Sequence, residues 1–217
     1  MLTEKQNKFE QLAKKVCKCQ KCALAATRLN VVFGEGSVSA SILFIGEAPG
    51  ATEDASGKPF CGRAGKILDQ LLLKVGMSRK DIYIANILKC RPPGNRNPKG
   101  EEIDACNQHL DQQIGLIKPK IIGCLGNFST KWVMEKFGLK NKVQGISKIH
   151  GQVFIAPVSQ GSIKIVPLYH PAVVVYNANT IFALEEDFNM LKNIIIVSIL
   201  LIKHNHANIY LYPIPQK

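Results

Sequence analysis

The sequence predicts an α/β fold, with a central, mostly parallel four-stranded sheet and helices on both faces. Three observations predict it. Short apolar runs at 41–45, 82–87, 121–125 and 163–168 read as buried strands. Helical patterns lie between them, with Ile67, Leu68, Leu71, Leu72 and Val75 on one face after the first run and Ile103, Cys106, Leu110 and Ile114 after the second. A long glycine-rich connection, 46–69, leaves the first strand and enters a helix, the place where α/β sheets bind ligands.

Taken in order, residues 3–18 read as a helix. Thr3 and Gln6 form a capping box, and Phe9, Leu12 and Val16 make one apolar face. Residues 30–40 are a loop or edge hairpin holding Gly34 and Gly36. The 46–69 loop leads to a helix that stops near Gly76. The second strand ends in Asn86 and gives way to an irregular basic loop, 89–98. Helices are expected over 101–116 and 129–137, with a basic loop at 139–152. A short strand at 153–155 precedes the last long one, which ends in Tyr169-His170-Pro171-Ala172. Thr180 opens a closing helix to about residue 196. Residues 1–196 are expected to form one domain with an N-terminal cysteine segment, and 197–217 a peripheral tail.

Composition narrows the partner. The chain carries 28 basic and 16 acidic residues, a net charge of +12, which points to a polyanion and to nucleic acid first. No basic amphipathic stretch marks a membrane surface, and the longest apolar run, 194–202, is too short to span one. The polar start, Met1 to Lys5, carries no signal peptide, so a cytoplasmic protein is expected. In that compartment the seven cysteines are ligands or buried thiols rather than disulfides.

The 46–69 loop competes with phosphate-cradling loops as a reading. Its spacing is not G-x-G-x-x-G, no G-K-[ST] follows, and Glu47, Glu53 and Asp54 would repel a phosphate. The acids suit a neutral or cationic group, or water. Among the cysteines, Cys19 and Cys22 are spaced as a chelating pair, Cys90 follows a strand and Cys106 lies on the next helix. Four thiolates there would suit zinc or an iron–sulfur cluster, and four separate buried thiols is the alternative. The second pair is not C-x2-C, which counts against a zinc ribbon. Cys17 competes with Cys19, and Cys61 and Cys124 read as small apolar core residues.

The chain resembles the family 4 uracil-DNA glycosylases, the iron–sulfur group of bacteria and archaea. The resemblance rests on Cys19-x2-Cys22, the 46–69 loop, Asn86 to Pro93 (N-I-L-K-C-R-P-P), Cys106 and His170-Pro171-Ala172, in the family's order over roughly residues 15–192. It implies a three-layer α/β/α fold and a [4Fe-4S] cluster on Cys19, Cys22, Cys90 and Cys106. It implies a monomer acting on uracil-containing DNA in the cytoplasm, on the nucleoid, in base excision repair. Such an enzyme flips the base into a pocket and hydrolyses its N-glycosidic bond, leaving an abasic site.

In that frame Phe60 stacks on the base. The Asn86 amide offers a donor for uracil O4 and an acceptor for N3–H, a pattern cytosine reverses. His170 donates to O2 and stabilises the leaving anion. Main-chain N–H groups of Gly46, Glu47 and Ala48 face the base. Ala48 stands where the first uracil glycosylase family has a water-activating Asp, so Glu47 is assigned water positioning or pocket structure. Gly50 stands where that family has a bulky residue excluding thymine. Val173, Val174 or Tyr176 is the wedge entering the helix stack. Arg91, Arg96, Lys99, Lys140, Lys142 and Lys148 are the candidate phosphate contacts. Alternatives are a sister glycosylase for another deaminated base, a non-catalytic iron–sulfur DNA-binding protein that would leave Phe60, Asn86 and His170 without a role, and a nucleotide-binding protein.

Overall fold

The computed structural model describes residues 3–159 and 161–206, with side chains described as far as Ile195 in the last helix. Helix α1 (Glu4–Cys17) starts at the expected capping box, with Thr3 and Gln6 each satisfying the other's backbone N–H. The edge strand β1 (Glu35–Gly36) and the first central strand β2 (Ile42–Gly46) follow. The glycine-rich loop folds a short helix of its own, α2 (Ala51–Ser56), before α3 (Arg63–Lys74). Then come β3 (Ile82–Asn86), α4 (Gly100–Ile117), β4 (Ile121–Leu125) and α5 (Asn127–Lys136). The chain closes with α6 (Ile146–Ile149), β5 (Phe154–Val158), β6 (Gly161–Leu168), α7 (Val173–Tyr176) and α8 (Thr180–His206).

The sheet has six strands in the order β1-β3-β2-β4-β6-β5. The four expected strands form its parallel centre, and β1 and β5 add an antiparallel strand at each edge. Strands β2, β3 and β4 are buried along their whole length. Alternate residues therefore serve opposite cores. Leu43 and Ile45 join Phe9, Leu110, Ile114 and Val133 on one face. Ile42 and Phe44 join Leu68, Leu72, Leu184 and Phe188 on the other. That pattern builds the three layers, with α1, α4 and α5 on one side and α3 and α8 on the other.

Helix α8 runs on to His206, past the boundary expected at residue 196. No glycine or proline interrupts 180–206, so nothing in the sequence stops the helix there. The rest of the expected tail, 207–217, lies outside the described residues. Among the described residues, no helix is long and apolar enough to cross a membrane.

Phe44 ties the sheet to α8. It is fully buried, and its ring stacks on Phe188 at 5.7 Å with 9° between the planes. Phe44→Ala is expected to cost about 3–5 kcal/mol of folding stability through lost burial and the cavity left behind. Urea unfolding measures this, and a loss below about 1 kcal/mol would contradict the packing described.

Candidate active site

All four parallel strands end at one edge of the sheet. From β2 the chain passes to β3 through α3 on one face, then returns across β2 to β4 through α4 on the other face. The winding reverses at β2, which opens a crevice beyond its carboxyl end. A cavity of about 570 Å³ occupies this place, walled by Glu47, Glu53, Phe60, Asn86, His170 and Tyr176. A cleft of about 510 Å³ lies against α4 and α5 instead, lined by Asp104, Asn107, Trp132 and Lys136. It holds none of the candidate site residues named from the sequence.

Asn86 is the last residue of β3 and pairs in register with Gly46 of β2. Its side chain is 2% exposed, and among the described residues its Oδ1 has no hydrogen-bond partner. Its main-chain oxygen accepts from Lys89 Nζ at 2.8 Å. A Cβ on Gly46 would stand 2.4 Å from Asn86 Oδ1 and 2.7 Å from Phe60 Cζ. Only glycine lets the amide and the aromatic tip meet there.

Phe60 is buried and holds φ at +50°, in the left-handed region that a residue with a Cβ rarely adopts. Such a conformation costs on the order of 1–3 kcal/mol unless its surroundings enforce it. Arg79 does so from below, with Nη1 donating to Pro59 O at 3.0 Å and Nη2 donating to Phe60 O. Gly65 of α3 packs under the same carbonyl, where a Cβ would fall 1.6 Å from Phe60 O. The Phe60 ring lies 5.5 Å from the His170 ring, tilted by 31°.

His170 follows β6, and its Nδ1 accepts from the Ala172 N–H at 3.1 Å. The neutral ring therefore carries its proton on Nε2. Burial pushes its pKa down to about 4, against a smaller opposing effect of the Glu53 charge. The ring faces the cavity as a neutral donor through the physiological range.

The acids of the loop divide by role. Glu47 is half-buried on the cavity wall, and burial raises its pKa. Glu53, which the sequence marked only as an acid, reaches across the loop so that its Oε1 accepts from Gly62 N–H at 2.9 Å. Its Oε2 fills the space beside Gly50, 2.8 Å from where a Cβ would stand. Asp54 is buried and accepts from the N–H groups of Leu29 and Asn30, which fastens the preceding segment to α2.

After His170 the chain makes one turn of helix, α7. Val173 and Val174 are half-buried against the core that holds Phe44, Val173 also lines the cavity, and Tyr176 is 90% exposed at its rim. Lys140, Lys142 and Lys148 are exposed in the expected basic segment. Arg91 and Arg96 sit in the loop after Cys90, with Arg91 Nε on Asn95 Oδ1 at 2.7 Å. Arg96 is committed to Glu102, at 2.9 and 2.5 Å, and Glu102 also accepts from the Lys99 N–H that opens α4.

Cys19, Cys22, Cys90 and Cys106 line one cavity between the end of α1, the loop after β3 and α4. Cys17 is exposed and stands outside it, which separates it from Cys19. Two N–H groups and one imidazole nitrogen approach the sulfurs. Arg28 Nη1 lies 3.4 Å from Cys90 Sγ, the Lys89 N–H 3.3 Å from Cys106 Sγ, and His109 Nε2 3.2 Å from Cys19 Sγ. Burial pushes the Cys106 thiol up to about 11 and raises Cys90 as well, so as free thiols both would stay protonated at neutral pH. Among the described residues, no three Cys, His, Asp or Glu side chains stand close enough to share one metal ion. Four cysteines around one cavity are a donor set that iron–sulfur centres use. Cys124 is fully buried as expected, whereas Cys61 is half-buried with its thiol 3.0 Å from Ser56 Oγ. Arg79, Lys89 and His109 escaped the sequence reading, because each acts through distant partners that no local spacing announces.

Comparison with known proteins agrees with this geometry. A family model described as the uracil DNA glycosylase superfamily matches residues 33–193. The chain is 43% identical to a type-4 uracil-DNA glycosylase of Sulfurisphaera tokodaii over 189 residues, 87% of this chain and 85% of that one. It is 45% identical to the Saccharolobus solfataricus type-4 enzyme over 185 residues, 85% of each chain. It is 39% identical to that of Archaeoglobus fulgidus over 180 residues, 83% of this chain and 89% of the other. The chain belongs to the uracil-DNA glycosylase superfamily.

Proposed function

We propose that this protein removes uracil from DNA by hydrolysing its N-glycosidic bond. One observation carries the reading: the buried Asn86 Oδ1 lacks a partner among the described residues, beside an aromatic ring and a neutral imidazole donor. A buried acceptor left unpaired is costly, and a ligand N–H relieves it. Uracil offers N3–H to Oδ1 and O4 to the amide nitrogen of the same side chain, while cytosine presents the opposite pattern.

The proposed sequence of events uses the chain's own groups. The base leaves the stack, enters the cavity and lies on Phe60, with Tyr176 at the rim entering the vacated space. Of the three residues read as the wedge, Val173, Val174 and Tyr176, the tyrosine is the most exposed. His170 Nε2–H points to O2, where negative charge grows as the bond to the sugar lengthens. It stabilises that charge more than the ground state, which is the condition for speeding the chemical step. Water held by Glu47, a cavity-wall acid, then attacks the sugar carbon, and its proton passes to that carboxylate.

Cys19, Cys22, Cys90 and Cys106 would hold a [4Fe-4S] cluster that acts as a structural cross-link. It would tie the end of α1 to the loop carrying Arg91 and to the start of α4. The net charge of +12 supports binding to the phosphate backbone, with Lys140, Lys142 and Lys148 exposed for it and Arg91 in the loop after Asn86. Arg96 would reach phosphate only from its pair with Glu102. Action as a monomer on the cytoplasmic nucleoid completes the proposal.

Purified protein, incubated with a uracil-containing oligonucleotide and then alkali, is expected to cut the strand at uracil alone. An intact strand would sink the proposal. His170→Ala is expected to slow single-turnover excision about 10²- to 10³-fold, the effect of losing one preorganised donor, with little change in substrate affinity. A wild-type rate would place the chemistry elsewhere.

The pH dependence of stability gives a second test of His170. Folded His170 titrates near 4 and the unfolded residue near 6.5, so between those values only the unfolded chain binds the proton. The contribution is full above about 6.5 and is lost as pH falls through 4. Substitution by glutamine is expected to flatten that part of the stability curve, and an unchanged curve would contradict the buried neutral ring.

The cysteine set makes a third prediction. Protein purified without oxygen is expected to be brown, with about four irons per chain. Cys90→Ser lowers folded yield and DNA binding together, whereas Cys61→Ser changes neither. A colourless, active protein with one zinc per chain would refute the cluster.

A further inference from the structure

We infer that Arg79 is a positioning residue for uracil recognition, because it holds Phe60 in the backbone conformation that presents its ring to the base. This rests on the reading of Phe60 as the stacking surface. Arg79 lies in the single 3-10 turn before β3, far along the chain from Phe60, and its side chain is three-quarters buried. Its guanidinium is shared between two tasks. Nη1 and Nη2 donate to the carbonyls of Pro59 and Phe60, and Nε donates to Asp69 Oδ1 of α3 at 2.7 Å. Glu35 of the edge strand β1 adds a carboxylate 3.9 Å away.

The planar fork suits this arrangement, since one rigid group bonds successive carbonyls while its other edge is anchored on α3. Successive carbonyls of an extended chain point to opposite sides, so one guanidinium reaches both only where the chain turns from that course. Phe60 makes that turn, at φ +50°. Gly65 removes the Cβ that would otherwise meet the Phe60 carbonyl at 1.6 Å, so α3 closes the space from the far side. Clamped between Arg79 and Gly65, the backbone sends the ring up to Gly46 and to within 5.5 Å of the His170 ring. Without the clamp the residue relaxes toward negative φ, and the ring leaves the base site while Asn86 and His170 stay in place.

A double-mutant cycle tests this, with inhibition of single-turnover excision by free uracil as the readout for base capture. Wild type, Arg79→Met, Phe60→Ala and the double variant are compared. Phe60→Ala alone is expected to weaken uracil inhibition about tenfold or more. Arg79→Met is expected to do the same in the wild-type background and to change it less than twofold once Phe60 is alanine. Arg79→Lys keeps a cation within reach of a carbonyl and is expected to recover part of the loss, again only while Phe60 is present. If the methionine variant does not fold, lysine and Asp69→Asn, which frees the anchoring edge, are read in the same cycle and are expected to lose affinity only when Phe60 is present. Equal losses in both backgrounds, or unchanged inhibition by every variant at 79 and 69, would overturn the clamp. Unchanged inhibition by Phe60→Ala would instead overturn the stacking reading beneath it, and the clamp with it.

Discussion

The pairing of Gly46 with Asn86, at the last rung shared by β2 and β3, sets what the rest of the cavity must do. It puts a side-chain amide at the carboxyl edge of a fully buried strand, where water is excluded and hydrogen bonds are strong in either direction. A slip of one residue would send Asn86 to the opposite face of the sheet and bring a core side chain in its place. The register is protected by both cores at once, because Phe44 and Ile45, next to Gly46, pack on opposite faces. The sheet thus fixes where Asn86 stands.

Around that amide the chain accepts several local costs. Phe60 is held at positive φ, His170 is buried as a neutral imidazole, and Glu53 is drawn into the cavity wall. Each has an identifiable holder: the Arg79 fork for Phe60, the Ala172 N–H for His170, the Gly62 N–H for Glu53. Lys89 joins the amide to the cysteine set. Its ammonium is buried and donates to the Asn86 carbonyl, while its own N–H approaches Cys106 Sγ. The two centres thus share one residue and three positions of chain.

Much of this was legible in the sequence, for reasons that differ by element. Apolar runs bounded by loops gave the four parallel strands, because buried strands need hydrophobic residues on both faces. The edge strands were harder. Glu35–Gly36 has no apolar signature, and Val153 and Ile155 are too few to show that β5 continues through Pro157 to Val158. Gly46, Asn86 and His170 were found because motifs place them at strand ends. Their geometry was not: nothing local says that Asn86 Oδ1 lacks a partner among the described residues or that Ala172 fixes the His170 tautomer. Val173, Val174 and Tyr176 read alike as the wedge, and only the fold shows the two valines half-buried against the core and Tyr176 exposed. Arg91 and Arg96 read alike, and only the fold shows Arg96 spent on a buried glutamate. Long-range partners of this kind have no spacing to read.

The central claim is that the Asn86 amide reads the edge of a flipped uracil. It is tested most directly by single-turnover excision from matched oligonucleotides carrying uracil or cytosine, for wild type and Asn86→Asp. Aspartate keeps the shape and loses the donor for O4, while an added acceptor suits the cytosine amino group. The account predicts that uracil excision falls about a hundredfold or more and that the cytosine-to-uracil ratio rises. Wild-type uracil excision with unchanged selectivity would contradict it.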